Sequence, residues 1–244
     1  MSQENVFHRL YSGVKISFEG IDGSGKTTQT QIIEKELKTQ GYEVFRAPDN
    51  SDASEGGLSG KILSMLKDGK DRFFRIGHPV TENLLLASRA ALLDKQVTLP
   101  KLRSGQVVLA DRDVDTFVVY GMPSLRSEFP DMSLDSLMDW MYGLTSLGRT
   151  YPDLTILFNP KIEEFIPRAT VGTSQESGID IFTEKDLGFI DQVAYCYDLV
   201  ARRYPNRIRL VEVGGKTIKE VSTSLLNLII PFLEQNNVPK TRKK

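Results

Sequence analysis

One stretch narrows the possible folds more than any other: Phe18-Glu19-Gly20-Ile21-Asp22-Gly23-Ser24-Gly25-Lys26-Thr27-Thr28. Gly20, Gly25, Lys26 and Thr27 occupy the fixed places of the phosphate-cradling pattern G-x-x-x-x-G-K-[ST]. Val14, Ile16 and Phe18 alternate with Lys15 and Ser17 ahead of it and read as a strand, and a helical pattern follows over about Lys26–Gln40. Glycine at 20, 23 and 25 lets the loop take positive φ, so that backbone N–H groups can approach phosphate oxygens closely. The helix that follows adds its free N–H groups and its dipole at the same spot. Lys26 supplies a point charge for the outer phosphates, and the Thr27 hydroxyl is placed to ligate Mg²⁺. With Asp22, Ser24 and Thr28, these residues form the candidate ATP site.

Strands alternate with helices through the rest of the chain. Tyr42–Arg46 reads as a second strand, Gln106–Asp111 as a third, Leu154–Phe158 as a fourth and Ile208–Val213 as a fifth. Helices are expected at about 58–67, 80–99 (stopped by Pro100), around Thr116–Tyr120, from a Ser133 cap to about 147, near 161–168, and over 185–204 and 218–234. Pro123–Met132 reads as a polar insert. Ala169–Phe182 is Gly/Ser/Thr-rich with few apolar anchors, which suits a mobile flap, or lid, extending to about 184. The pattern implies one α/β domain over 13–236 with a parallel sheet, a loose lead-in at 1–12 and a basic tail at 237–244, disordered over Lys240–Lys244. At 244 residues there is length for one well-buried core.

Composition excludes several classes. With 31 Lys+Arg against 32 Asp+Glu, no global field argues for nucleic acid. The longest apolar run, Leu225–Leu233, is too short to span a bilayer and contains Pro231, so no membrane association is expected. The N-terminus lacks an apolar core of signal-peptide type, and the lone Cys196 reads as a buried apolar filler, both consistent with a cytoplasmic protein. His8 and His78 stand apart from the motifs and read as structural or exposed, and no Cys/His cluster suggests zinc.

Ligands in such folds sit at the carboxyl ends of the strands. Asp22, Arg46, Asp111 and Arg112 all fall there, which would gather four charged residues from separate segments in one cleft. Three readings fit: a phosphotransferase with a second substrate site facing the loop-bound ATP, a hydrolytic switch or motor, and a binding module without chemistry. A GTPase-type switch needs a late N-K-x-D segment, which is absent, and a motor needs more length. A phosphotransferase needs arginines aimed at the acceptor and at the transferring group. Arg46, Arg89, Arg112 and Arg168 are the candidates.

Phe18 to Thr28, with Gln29, resembles the phosphate loop of thymidylate kinases. Further similarities follow in that family's order: Arg46-Ala47-Pro48, Ala87-Ser88-Arg89, Gly105 with Val107-Val108-Leu109-Ala110-Asp111-Arg112, Tyr151-Pro152-Asp153-Leu154-Thr155, and Arg168 where the flap begins. The resemblance spans about Val14 to Glu234. It implies a P-loop three-layer fold with a five-stranded parallel sheet of order 2-3-1-4-5. It also implies transfer of the ATP γ-phosphoryl group to a deoxynucleoside monophosphate, with dTMP as the expected acceptor and ATP and Mg²⁺ required.

Carried over by position, the resemblance has Asp22 accept from the sugar 3′-OH, Arg46 and Arg112 clamp the acceptor phosphate, and Arg112 also reach the transferring group. Arg89 would bond a base carbonyl, Thr116 stands in a serine position, and Tyr120 would pack against deoxyribose. Asp111 would hold Mg²⁺ through water together with Thr27, and the Val213–Thr217 turn would lie near adenine. Lys26, Arg112 and Arg168 would then be the catalytic set, and the helix over 80–99 the surface of a homodimer.

Four positions depart from the pattern. Leu85 stands where a phenylalanine stacks on thymine, and loss of a base–aromatic stack, about 1–3 kcal/mol, implies looser base selection. Gly121 replaces a polar base contact, and Asp113 replaces a tyrosine and adds a charge beside Asp111 and Arg112. Gly23 leaves the loop without a helper arginine, which shifts that role to Arg168.

Overall fold

β1 (Val14–Glu19) is buried along its whole length, as a strand in the middle of a sheet covered on both faces must be. The computed structural model describes residues 11–48, 57–69, 71–159 and 183–241. β1 pairs in parallel with β3 (Val107–Asp111) on one side and β4 (Leu154–Asn159) on the other. β2 (Val44–Arg46) adds outside β3 and β5 (Ile208–Glu212) outside β4, giving the parallel order β2-β3-β1-β4-β5 expected from the sequence. The chain lays β2 and β3 on one side of β1 and then β4 and β5 on the other, so the crevice beyond the carboxyl ends of β1 and β3 is the switch point where ligands of such folds sit.

Helices cover both faces. On one side α1 (Lys26–Thr39) and the last helix, α8 (Ile218–Gln235), bury Ile33, Leu37, Leu225 and Ile229 against Ile16 and Phe18. On the other, α5 (Val114–Glu128), α6 (Leu134–Thr145) and α7 (Glu184–Arg203) close over Leu157 with Val118, Met122, Met141 and Val193. α2 (Gly57–Lys67) and α3 (Pro79–Leu93) complete that rim. Capping is orthodox. The Ser133 side chain accepts from the Ser136 N–H at 3.1 Å, and Thr183 and Thr217 each form a capping box with Asp186 and Glu220.

Three sequence expectations need correction. Pro100 does not end the helix over 80–99. After α3 the chain passes through a π-helical turn, Asp94–Thr98, into α4 (Leu99–Arg103), with Pro100 in α4's first turn. Widening the turn ahead of a proline removes the carbonyl its ring would strike and the hydrogen bond it cannot make. Pro123 likewise lies inside α5, buried between Met122 and Leu125 of the core, so the expected polar insert begins as helix. The expected disordered tail is docked as far as residue 241: the Thr241 N–H donates to the Gly41 carbonyl at 2.7 Å, and Lys240 Nζ sits 4.8 Å from the Tyr42 ring centroid. The helix expected near 161–168, Arg168, most of the flap at 169–184, the first ten residues and the last three lie outside the described residues.

Glu19, at the end of β1, is fully buried and holds the start of α5. Its Oε1 accepts the Asp113 N–H at 2.8 Å, and its Oε2 accepts from the Thr116 hydroxyl and from Tyr197 at 3.3 Å. Burial, with the nearby Asp115 carboxylate adding to it, pushes the Glu19 carboxyl up to about 8. The folded protein therefore holds a proton that the unfolded chain releases above its own carboxyl pKa, so stability falls as pH rises from about 4.5 to about 8. Glu19→Gln mimics the protonated side chain, since its amide can donate to the two hydroxyls. It is expected to flatten this decline and to raise Tm at pH 8.5 by about 2–4 °C for each kcal/mol recovered, measured by thermal denaturation at pH 5 and pH 8.5.

Candidate active site

The phosphate loop has the backbone its glycines predict: φ is 136° at Gly20, 76° at Gly23 and 91° at Gly25. At Gly20 the requirement is also steric, since a β-carbon would stand 2.8 Å from the Phe158 carbonyl oxygen. Lys26 is buried, and its Nζ donates to the Ile21 carbonyl at 2.7 Å and to Ser24 Oγ at 3.2 Å. Burial, then the Arg112 cation, pulls the Lys26 ammonium down to about 8. Gln29 Nε2 donates to the Ile218 carbonyl at 2.9 Å, which ties the loop's helix to the start of α8 beyond the 213–217 turn. Thr27 Oγ1 donates to Asp111 Oδ2 at 2.5 Å, bringing the two sequence-predicted metal ligands face to face. Two hard oxygens at the mouth of a phosphate loop are the donor type that would suit Mg²⁺.

Arg112 is turned toward this loop by its backbone. Its φ is 73°, the left-handed region that a non-glycine residue seldom enters, and its N–H donates to the Phe18 carbonyl at 3.0 Å. The guanidinium donates to the Gly20 carbonyl at 3.2 Å, to the Tyr120 hydroxyl at 3.3 Å and to Asp22 Oδ1, and it lies over the Tyr120 ring. Tyr120 also donates to Asp22 Oδ2 at 3.2 Å. Burial opposes ionisation of Asp22, but the Arg112 and Lys26 cations outweigh it and hold the carboxyl below its usual range.

Asp22, Arg112, Thr116 and Tyr120, all predicted, line one cavity of about 270 Å³ beside the loop. The Thr116 hydroxyl is committed to Glu19 and, at 2.7 Å, to Tyr197. Leu85 and Arg89 do not line the cavity. Arg89 is fully buried, and α3 presents instead the face of Asn83 and Leu86, three residues apart. Arg46 lies at the end of β2, one strand from Asp111, with Nε 4.0 Å from Glu34. Asp113 does not add charge to the cleft. It points under the sheet end, where it pairs with Lys15 Nζ at 2.5 Å and with Arg149, both of which also meet Asp94.

The remaining wall is the turn at 71–76, which sequence reasoning missed. Asp71 Oδ1 accepts the Phe73 N–H at 2.8 Å and the Arg75 N–H at 3.2 Å, while the Arg75 guanidinium grips the same carboxylate. This holds Phe74 at φ 61° and sets Phe73 against Tyr120 (5.9 Å between ring centroids) and Phe189 (4.8 Å). Glu82 Oε1 caps the far side, accepting the Ile76 N–H at 2.6 Å and the His78 N–H at 3.1 Å. The available signal was the aromatic pair Phe73-Phe74 flanked by Arg72 and Arg75, between an Asp and a helix start, which is too short to show either a helical or a strand period.

A phosphate loop at a parallel-sheet switch point, facing a cavity that shares its arginine, defines a P-loop phosphotransferase of the nucleoside monophosphate kinase type. The chain belongs to the thymidylate kinase family, whose model matches residues 18–225. Thymidylate kinase of Thermoanaerobacter sp. (strain X514) is 44% identical over 223 residues, covering 91% of this chain and 99% of that protein. Thymidylate kinase of Caldanaerobacter subterraneus subsp. tengcongensis is 32% identical over 224 residues, covering 91% and 97%. The solved thymidylate kinase of Candida albicans shares the fold with a TM-score of 0.66 at 24% identity, covering 92% of this chain and 93% of that one.

The backbone at Arg112 makes a prediction separable from its charge. Both Arg112→Gly and Arg112→Ala delete the guanidinium, but only glycine takes φ near 73° freely. Arg112→Gly is expected to be the more stable of the two by about 1 kcal/mol, read as a higher urea midpoint. Equal midpoints would show that residue 112 relaxes out of the left-handed region.

Proposed function

We propose that the protein transfers the γ-phosphoryl group of ATP to the 5′-phosphate of dTMP, giving ADP and dTDP. The observation that carries this reading is Arg112, which joins the cavity to the phosphate loop through Asp22 and the Gly20 carbonyl. An acceptor in the cavity has its phosphate at that guanidinium, directly opposite the phosphates cradled by Gly20 to Thr28. Family membership and the oxygen-lined, arginine-bearing cleft both support it.

The chain's own groups then divide the work. Backbone N–H groups of the loop and the Lys26 ammonium, released from Ile21 and Ser24, bind the ATP phosphates. Thr27 and Asp111 would hold Mg²⁺, which would supply positive charge beside the ATP phosphates. Arg112 orients the acceptor phosphate and shares the charge that spreads over the transferring group. Arg46, leaving its long contact with Glu34, supplies the second guanidinium from the neighbouring strand. Asp22 accepts the sugar 3′-OH while Tyr120 packs on the deoxyribose, and Arg168 serves as helper cation from the flap. A homodimer through the α2 and α3 side, where Leu58, Met65 and Leu84 are exposed, completes the reading, with the enzyme in the cytoplasm. Among the described residues no helix is long and apolar enough to cross a membrane.

ADP release coupled to a spectrophotometric assay, run with dTMP, dUMP, dCMP and dGMP, tests the activity. Turnover is expected with dTMP, and none with any acceptor would overturn the reading. Arg112→Gly is expected to lower kcat/KM for dTMP by about 10³-fold, or ~4 kcal/mol, in a protein that remains folded. Arg168→Ala is expected to lower kcat by at least about tenfold (~1.4 kcal/mol); a smaller loss would make Arg168 structural.

A further inference from the structure

Asn83 on α3 is 3% exposed, yet it lines the cavity beside Gly121 of α5. Its Nδ2 donates to the Pro79 carbonyl at 2.8 Å, and because a carbonyl only accepts, this bond fixes which way the amide faces. Oδ1 is left toward Gly121, and among the described residues no donor meets it. A β-carbon at Gly121 would stand 2.5 Å from that oxygen and 2.4 Å from Met141 Cε, so glycine there is what admits the amide.

Position along α5 gives the oxygen its place in the site. Gly121 lies about two turns, roughly 10 Å, beyond the helix start at Val114, whereas Arg112 precedes that start. The amide is thus set about two turns of α5 away from the Arg112 backbone, whose guanidinium reaches along the helix as far as the Tyr120 hydroxyl. Between them the walls are Phe73, Leu86, Phe117 and Tyr120, apolar surfaces suited to the faces of a planar ring. An acceptor that opens on a ring-shaped slot calls for a donor on the ring's edge.

We propose that Asn83 is the residue that reads the acceptor base, with Oδ1 accepting an N–H from the base edge, which in thymine is N3–H. The proposal rests on the cavity being the acceptor site. It makes Asn83 and Gly121 one unit, in which α3 supplies the polar contact and α5 withdraws a side chain to let it through. A base with no donor there covers the oxygen without meeting it, and sites built on such a bond reject analogues that lack it.

The test compares dTMP with N3-methyl-dTMP, which has no donor at that edge, in the wild type and in Asn83→Ala and Gly121→Ala. Wild type is expected to favour dTMP by about 10–100-fold in kcat/KM. Asn83→Ala, which removes the acceptor and opens space for the methyl, is expected to bring that preference below about threefold, chiefly by raising KM for dTMP. Gly121→Ala, which pushes the amide aside, is expected to move the ratio the same way and serves alone if Asn83→Ala does not fold. A purely structural Asn83, bonding back to Pro79 to firm the first turn of α3, would lower Tm and leave the ratio unchanged; that result overturns the proposal. Wild-type enzyme that uses both nucleotides equally also overturns it while leaving the acceptor reading intact. Wild type that does not phosphorylate dTMP overturns both.

Discussion

The left-handed turn at Arg112 is the constraint on which the site depends. At the end of β3, consecutive side chains must leave in different directions: Asp111 toward Thr27, Arg112 toward Asp22 and the cavity, Asp113 beneath the sheet toward Lys15 and Arg149. Extended backbone would alternate them between two faces and send Asp111 and Asp113 the same way. A φ of 73° breaks the alternation, and the N–H of Arg112 is satisfied by the Phe18 carbonyl of β1, so the turn and the phosphate loop are locked to one another. The proposed metal ligand, the proposed acceptor clamp and a structural anchor are thereby drawn from three neighbouring residues.

Much of this was legible in the sequence because it rests on local rules. Glycine spacing gave the loop, apolar runs gave the strands, and Asp22, Arg112 and Tyr120 do meet in one cavity. What escaped was decided by tertiary packing. Pro100 and Pro123 read as helix breaks, yet a π turn and a buried core carry the helices past them. Asp113 read as a cleft charge because its partners, Lys15 and Arg149, are distant in sequence. Leu85 drew attention through its position relative to Arg89, but the face of α3 turned to the cavity is that of Asn83 and Leu86. A quarter-turn of helix orientation is invisible when apolar residues fill Leu84, Leu85 and Leu86 in succession.

Strain collects where the chemistry is expected. Among the described residues, non-glycine positive φ occurs at Phe74, Arg112 and Asn237, and the first two line the cavity. Each such residue costs about 1–3 kcal/mol and persists only where its surroundings over-determine it. For Phe74 those surroundings are the Asp71 carboxylate, which accepts both flanking N–H groups, and Arg75, which spans Asp71 and Asp186 while lying over the Phe73 and Phe189 rings. The wall is thus rigid before any ligand arrives, which reduces the ordering cost of binding. It also connects the cavity to the first turn of α7, where Asp186 doubles as the capping-box carboxylate of Thr183.

The buried charges beneath the site follow from the same need for rigidity. Lys15 on a central strand would be a poor choice for stability alone, since an apolar replacement of a buried pair is often neutral or better. Here its ammonium meets Asp94 at 3.2 Å, the Thr150 carbonyl at 2.9 Å and Asp113 at 2.5 Å, and Arg149 closes the ring. Burial disfavours the Asp94 carboxylate, but Lys15 and Arg149 overcome that and hold it at about 2. Its contribution is therefore complete above the unfolded carboxyl range and fades only as pH falls toward 2, leaving the network intact wherever the enzyme would work. Directional ion pairs allow only one arrangement of the π turn, the β3 end and the 149–150 segment, whereas apolar contacts would tolerate several. Fixing Asp113 in this way fixes the residue before it, and so aims the guanidinium at the phosphate loop.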